Sequence, residues 1–211
     1  MKTRVFNLII LDESGSMQSI KKEAIDSVNE TVQTIRSAEK KNEDQEHFVS
    51  LVTFNDNIKT VYDCVPAREV DELTEETYCP DCCTALYDAV GISLNVLRPK
   101  VAKDDRVLVT IVTDGCENSS REYSSKAIKA LVDELKGKGW VFAYIGANQD
   151  VEQVSASISI TNAMAFHATS EGTRCMTQCV NKSREGFFAR LSSKCFNPEK
   201  ENEHFFDDEN E

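Results

Sequence analysis

The sequence predicts an α/β domain built on a mainly parallel sheet, and three observations carry that reading. Short apolar runs alternate with longer amphipathic ones along most of its 211 residues. Two of the short runs, Val5 to Leu11 and Val107 to Val112, are apolar on both faces, as strands covered on each side must be. A turn signal, Asn55-Asp56-Asn57, then joins two further strand-like runs as a hairpin, whose second strand has to be antiparallel and lie at an edge.

The elements follow in order. Arg4 to Leu11 reads as a central strand. Gln18 to about Lys40 reads as a long helix, with Ile20, Ala24, Ile25, Val28, Val32 and Ile35 at helical spacing. His47 to Phe54 and Ile58 to Cys64 form the hairpin. Pro66 to Thr77 is polar and reads as a short helix and a loop. Thr84 to Leu97 is helical, Arg106 to Thr113 a buried strand, and Ser124 to Lys136 a helix ended by Gly137 and Gly139. Trp140 to Ile145 is a strand, Asp150 to Ile158 a helix capped by Asp150, and Ala163 to His167 a last strand. Thr173 to Lys194 closes the domain as a helix on which Cys175 and Cys179 are expected to face the core. The expected division is one domain over residues 1–197 and an acidic disordered tail over 198–211.

Charge narrows the function classes. The net charge is −12, and seven acidic residues against one lysine between Glu199 and Glu211 supply −6 of it. Nucleic-acid binding relies on clustered lysine and arginine, and no basic run of five occurs, so no nucleic-acid partner is expected. No stretch approaches the roughly 18 to 20 apolar residues of a membrane span. The apolar run after Arg4 is broken by Asn7 and enters Asp12-Glu13-Ser14 with no small-residue cleavage site, so it reads as a strand and the expected location is cytoplasmic. Eight cysteines are then expected as thiols, metal ligands or redox groups.

Three separated motifs carry the chemistry. Asp12-Glu13-Ser14-Gly15-Ser16 follows the first strand, Thr84 opens a helix, and Thr113-Asp114-Gly115 follows the strand from Arg106. Ligands of open α/β sheets sit outside the carboxyl ends of the strands, where the strand order reverses. Singly, each motif reads as a helix cap or a turn. Together they suit Mg²⁺, which takes oxygen donors in octahedral array, with Mn²⁺ or Ca²⁺ as alternatives. Ser14 and Ser16 can ligate without adding charge, and Thr84 supplies a third hydroxyl, directly or through water. Asp12 and Asp114 bring the negative charge and would orient waters and hydroxyls. An ion held mainly by neutral oxygens stays electrophilic, which favours a carboxylate from another molecule.

Asp12-x-Ser14-x-Ser16, the distant Thr84 and Asp114-Gly115 resemble the metal-ion-dependent adhesion site of von Willebrand factor A domains. The element order resembles that family from about Arg4 to Lys194, and the strings Thr113 to Asn118 and Thr84 to Ala89 resemble its small intracellular bacterial members. The resemblance implies a Rossmann-like, doubly wound six-stranded sheet with one antiparallel edge strand. It also implies metal-dependent, non-catalytic binding of a protein that offers Asp or Glu, with loops around Glu117 to Arg121 and Thr77 to Cys83 setting specificity. The family often has glycines before the threonine, whereas this chain has Cys82 and Cys83.

Other readings stand beside this one. Cys79-Pro80-Asp81-Cys82-Cys83, with Cys116 on the same rim, could form a zinc or redox site, although no second pair at similar spacing occurs. A Mg²⁺-dependent phosphohydrolase would use the same sheet edge, but Ser14 stands where a second aspartate would be wanted. Glu117 reads as a carboxylate tuning the rim. Phe205-Phe206, amid acidic residues, reads as disorder or as a short docking motif.

Overall fold

The computed structural model describes residues 2–147, 150–193 and 195–207. Its six strands are β1 (Thr3–Asp12), β2 (Gln45–Phe54), β3 (Ile58–Pro66), β4 (Arg106–Thr113), β5 (Trp140–Gly146) and β6 (Ala163–Ala165). They lie in the order β3-β2-β1-β4-β5-β6. All neighbours are parallel except β2 and β3, the hairpin pair, whose antiparallel strand takes the edge. The chain runs outward from β1 to β3 and then crosses back to β4 on the other side. The order therefore reverses between β1 and β4, and a crevice opens at their carboxyl ends.

The helices are α1 (Lys21–Lys41), α2 (Leu86–Leu97), α3 (Ser125–Lys136), α4 (Val151–Ser157), α5 (Ser170–Leu191) and α6 (Pro198–His204). Two apolar cores result, one on each face of the sheet. Val28, Val32 and Ile35 of α1 pack with Met176, Val180 and Phe187 of α5 on one face. Leu86, Val90 and Leu94 of α2 join Ile128, Val132 and Leu135 of α3 on the other. Because both faces are covered, residues 5–12 of β1 are buried without alternation. Among the described residues no helix is long and apolar enough to cross a membrane.

Several expected boundaries shift. A 3₁₀ segment, Gly15–Ile20, precedes α1, and α2 starts at Leu86 rather than Thr84. The Pro66 to Thr77 stretch has only a 3₁₀ turn at Ala67–Glu69. The expected cap on α4 forms, with Asp150 accepting from the Gln153 backbone amide, and Ser124 caps α3 by accepting from the Ala127 amide.

The acidic tail is a correction. Residues 198–204 form α6, and its Asn202 acts as a surrogate strand along the free part of β5. The Asn202 amide nitrogen donates to the Trp140 carbonyl at 2.8 Å, and its oxygen accepts from the Phe142 amide at 3.1 Å. Asn162 adds bonds to the Phe142 carbonyl and the Glu201 carbonyl. Because β6 pairs only with residues 144–146 of β5, the rest of that edge needs a cover, and α6 supplies it. Phe205, placed in the expected tail, is buried edge-on against Phe187 at 6.0 Å. Composition alone misled here, since acidic residues on the outer side of α6 mask one apolar and one amide anchor, Phe205 and Asn202. The rest of the expected tail, residues 208–211, lies outside the described residues.

A second correction concerns α5. Cys175 and Cys179 are exposed, because the buried stripe runs through Thr173, Met176, Thr177, Val180 and Arg184. Each cysteine is one residue, about 100°, off that stripe.

Candidate functional site

The carboxyl ends of β1 and β4 bring the separated motifs together. Asp12 is the last residue of β1 and Asp114 follows β4 directly. Asp12 is fully buried, and both its oxygens are engaged. Oδ1 accepts from the Ser14 backbone amide at 2.7 Å and Oδ2 accepts from the Thr113 hydroxyl at 2.5 Å. The Ser14 and Ser16 hydroxyls lie 3.1 Å apart, and Ser16 Oγ donates to Asp114 Oδ1 at 2.6 Å.

Gly115 shows how closely the rest of the set converges. A Cβ at this position would stand 2.6 Å from Thr84 Oγ1, 3.2 Å from Asp12 Oδ2 and 3.3 Å from Ser14 Oγ. Hydrogen is therefore the only side chain that fits between them. Ser14, Thr84 and Asp114 are 2–3% exposed, while Ser16 beside them is open to solvent.

The loops that carry these residues are bound to one another. Thr84 exchanges two bonds with Asn118, amide to side-chain oxygen at 2.9 Å and carbonyl to backbone amide at 3.0 Å. The 78–82 loop is zipped onto residues 12–15. Tyr78 Oη donates to the Asp12 carbonyl at 2.6 Å, the Asp81 amide to the Glu13 carbonyl, and the Gly15 amide to the Cys82 carbonyl. Asp88 accepts from the backbone amides of Arg121, Glu122 and Tyr123. Glu117, expected as a carboxylate tuning the rim, has its oxygens turned inward, onto the amides of Tyr87, Ser119 and Ser120 and the Ser120 hydroxyl. It ties the 117–120 turn to the start of α2.

Tyr78, Asp88 and Asn118 had no motif of their own to announce them, whereas Glu13 lies inside the Asp12 to Ser16 motif. Asn118 and Asp88 do lie within the strings at 113–118 and 84–89, which is the signal available for them. Tyr78 has none, because its partner is a backbone carbonyl 66 residues away.

Electrostatically the site is a pair of under-compensated anions. Burial pushes the Asp12 carboxyl above its ordinary range; bonds from Thr113 and Ser14 oppose this, and the charge on Asp114 adds to it. Burial likewise raises Asp114, against the bond from Ser16. No lysine or arginine among the described residues forms an ion pair with either. Two carboxylates in a partly desolvated crevice, faced by three hydroxyls, form an oxygen-only donor set. That set suits a hard divalent cation and offers nothing to a soft one.

The cysteines do not assemble. Cys79, Cys82, Cys83 and Cys116 are free and exposed, and among the described residues no group of three or more His, Cys, Asp or Glu side chains is placed to hold a metal. Asp81 and then Asp56 push the Cys82 thiol upward, the opposite of what a reactive thiolate needs. Cys82 does have a backbone role, since its φ of 63° lies in the left-handed region that glycine favours.

A family model described as von Willebrand factor type A domain matches residues 8–180. No curated protein matches the chain in sequence. Among solved structures, the chain is similar to the PilB minor pilin from Streptococcus sanguinis, with 14% identity over 92% of this chain and 64% of that one, at a TM-score of 0.59. It is similar to the ArnB paralog VWA2 from Sulfolobus acidocaldarius, with 16% identity over 86% of this chain and 45% of that one, TM-score 0.58. Proximal thread matrix protein 1 from the mussel byssus gives 14% identity over 87% and 46%, TM-score 0.56. The chain spans about half the length of the latter two, and likeness at such identities is likeness of fold.

Proposed function

We propose, because the chain belongs to the von Willebrand factor type A domain family, that it is a divalent-cation-dependent protein-binding module. Domains of this family are often interaction or adhesion modules. The observation that carries the metal reading is the pair Asp12 and Asp114, buried beside the Ser14, Ser16 and Thr84 hydroxyls with no lysine or arginine side chain among the described residues paired to either.

In this reading Ser14, Ser16 and Thr84 are the oxygen ligands. Asp114 holds the Ser16 hydroxyl, as it already does at 2.6 Å. Asp12 fixes the Ser14 backbone and contributes charge. A Mg²⁺ bound there, or Mn²⁺ or Ca²⁺ in its place, supplies a Lewis-acidic position that a partner's Asp or Glu can occupy. Ser16, the solvent-open member of the set, is where that carboxylate approaches, and the loops around Thr77 to Cys83 and Glu117 to Arg121 select the partner. Full engagement of both Asp12 oxygens favours this positioning role over a nucleophile in a phosphohydrolase, which needs an oxygen facing the substrate. Eight free thiols, seven of them exposed, support action in the reducing cytoplasm.

Calorimetric titration of Mg²⁺ and of Mn²⁺ into chelator-stripped protein tests the reading, with Asp12→Ala and Asp114→Ala alongside. Saturable one-site binding lost in both variants is the expected result. Absence of binding, or binding indifferent to both aspartates, overturns it.

A further inference from the structure

Because α2 begins at Leu86, Thr84 lies ahead of the helix and is not held by its hydrogen-bond ladder. Both polar groups of its backbone turn instead to one residue 34 positions on. The Thr84 amide donates to Asn118 Oδ1 at 2.9 Å, and the Asn118 amide donates to the Thr84 carbonyl at 3.0 Å. The neighbouring Ala85 amide goes elsewhere, to the Asn55 carbonyl at 2.8 Å.

Asn118 is itself anchored, since residues 117–123 lie along the start of α2. Glu117 accepts from the Tyr87 amide at 3.0 Å, and Asp88 accepts from the amides of Arg121, Glu122 and Tyr123 at 2.7 to 2.9 Å. Farther along, the Tyr123 ring packs so tightly on α2 that a Cβ on Gly91 would stand 2.6 Å from it. The Thr84–Asn118 pair is the end of this clasp that meets the oxygen donors, because Thr84 Oγ1 is 2.6 Å from where a Gly115 Cβ would be. Thr84 is 3% exposed, so its amide needs a protein partner. Without the Asn118 side chain that amide is stranded, and the backbone turns to find another acceptor and carries the hydroxyl with it.

We propose that Asn118 is a positioning residue of the cation site, acting through Thr84. By holding both backbone groups of Thr84 it sets where the third hydroxyl of the donor set stands. The inference rests on the metal reading of Asp12, Ser14, Ser16, Thr84 and Asp114. Linkage makes the effect reciprocal: a pair that favours cation binding is favoured by it.

Mg²⁺ titration of the chelator-stripped full chain tests it, with wild type beside Asn118→Ala and Tyr123→Ala. Asn118→Ala should weaken Mg²⁺ binding about tenfold, the usual cost of removing a group that orients a ligand. Tyr123→Ala loosens the far end of the clasp, and should lower the metal-free Tm while leaving the affinity within about twofold. Equal weakening in the two variants is a general loosening and overturns the proposal, as does unchanged binding by Asn118→Ala. Hydrogen exchange of the wild type is a second readout, and it decides should Asn118→Ala fail to fold. Saturating Mg²⁺ should slow the Thr84 and Asn118 amides together and leave the Tyr123 amide, held by Asp88, as it was. Uniform slowing, or none at Thr84, refutes the role. A wild type that binds neither Mg²⁺ nor Mn²⁺ defeats the metal reading itself, and this inference with it.

Discussion

Gly115 and Thr84 approach so closely that a single methyl group cannot stand between them: a Cβ on Gly115 would lie 2.6 Å from the Thr84 hydroxyl. Gly115→Ala should therefore push Thr84 away from Asp12 and Ser14. We expect a loss of about 1–3 kcal/mol in stability from overpacking and at least a tenfold weaker Mg²⁺ response. Gly137→Ala is the control. Its Cβ would meet only backbone carbonyls at 3.4 and 3.6 Å, and its φ of −62° suits alanine. Urea unfolding and metal titration of the two variants give the comparison. Equal behaviour would mean that Gly115 does not hold the donors together.

The carboxy-terminal helix should be structural. Phe205→Ala should cost about 3–5 kcal/mol, the usual range for a buried phenylalanine. Asn202→Ala should cost about 2 kcal/mol, since it leaves the Phe142 amide and Trp140 carbonyl unpaired. Removing residues 198–211 should add aggregation through the bared edge of β5. Chemical denaturation with light scattering reads both effects; unchanged stability of the truncated chain would return the segment to the role of a solvated tail.

His47 should make stability fall on mild acidification. Its ring is fully buried between Gln45, at 3.0 Å, and the edge of Phe188, and burial lowers it to about 4 from 6.5. The unfolded chain therefore binds the extra proton first. The contribution is fully present above about pH 6.5 and is lost as the pH falls toward 4. The loss should reach about 2 kcal/mol between pH 7 and 5. Asp12 and Asp114, raised by burial, act with the opposite sign, so the difference between wild type and His47→Gln isolates the histidine. Parallel pH profiles for the two proteins would contradict the assignment.

The two cysteines before Thr84 should respond differently to glycine. Cys82 has a φ of 63°, whereas Cys83 has no positive φ. Left-handed geometry costs an ordinary residue about 1–2 kcal/mol, and glycine gives back about 0.5–1 through its freer unfolded chain. Cys82→Gly should thus gain on the order of 0.5 kcal/mol and Cys83→Gly should lose a similar amount. Differential calorimetry of the pair would show it. A gain at Cys83 in place of Cys82 would refute the backbone account.

What the sequence by itself determined was whatever depends on local pattern. Continuous apolar runs made β1 and β4 the doubly covered strands, the Asn55 to Asn57 turn made β3 antiparallel, and Asp150 capped its helix. The residues of the oxygen-rich site were also legible, because each is placed by the strand or helix beside it. Tertiary structure alone decided which of those residues touch. The β1–β4 adjacency set Gly115 among Thr84, Asp12 and Ser14, and a bond spanning 66 residues fixed Tyr78 under Asp12. It also decided the fate of the acidic segment. Charge pattern reports how a segment meets water, whereas Asn202 and Phe205 act on an unpaired edge of β5 that exists only after the sheet has formed. Arg184 is the same case, since a position on α5 becomes a buried cation only when the sheet closes over it.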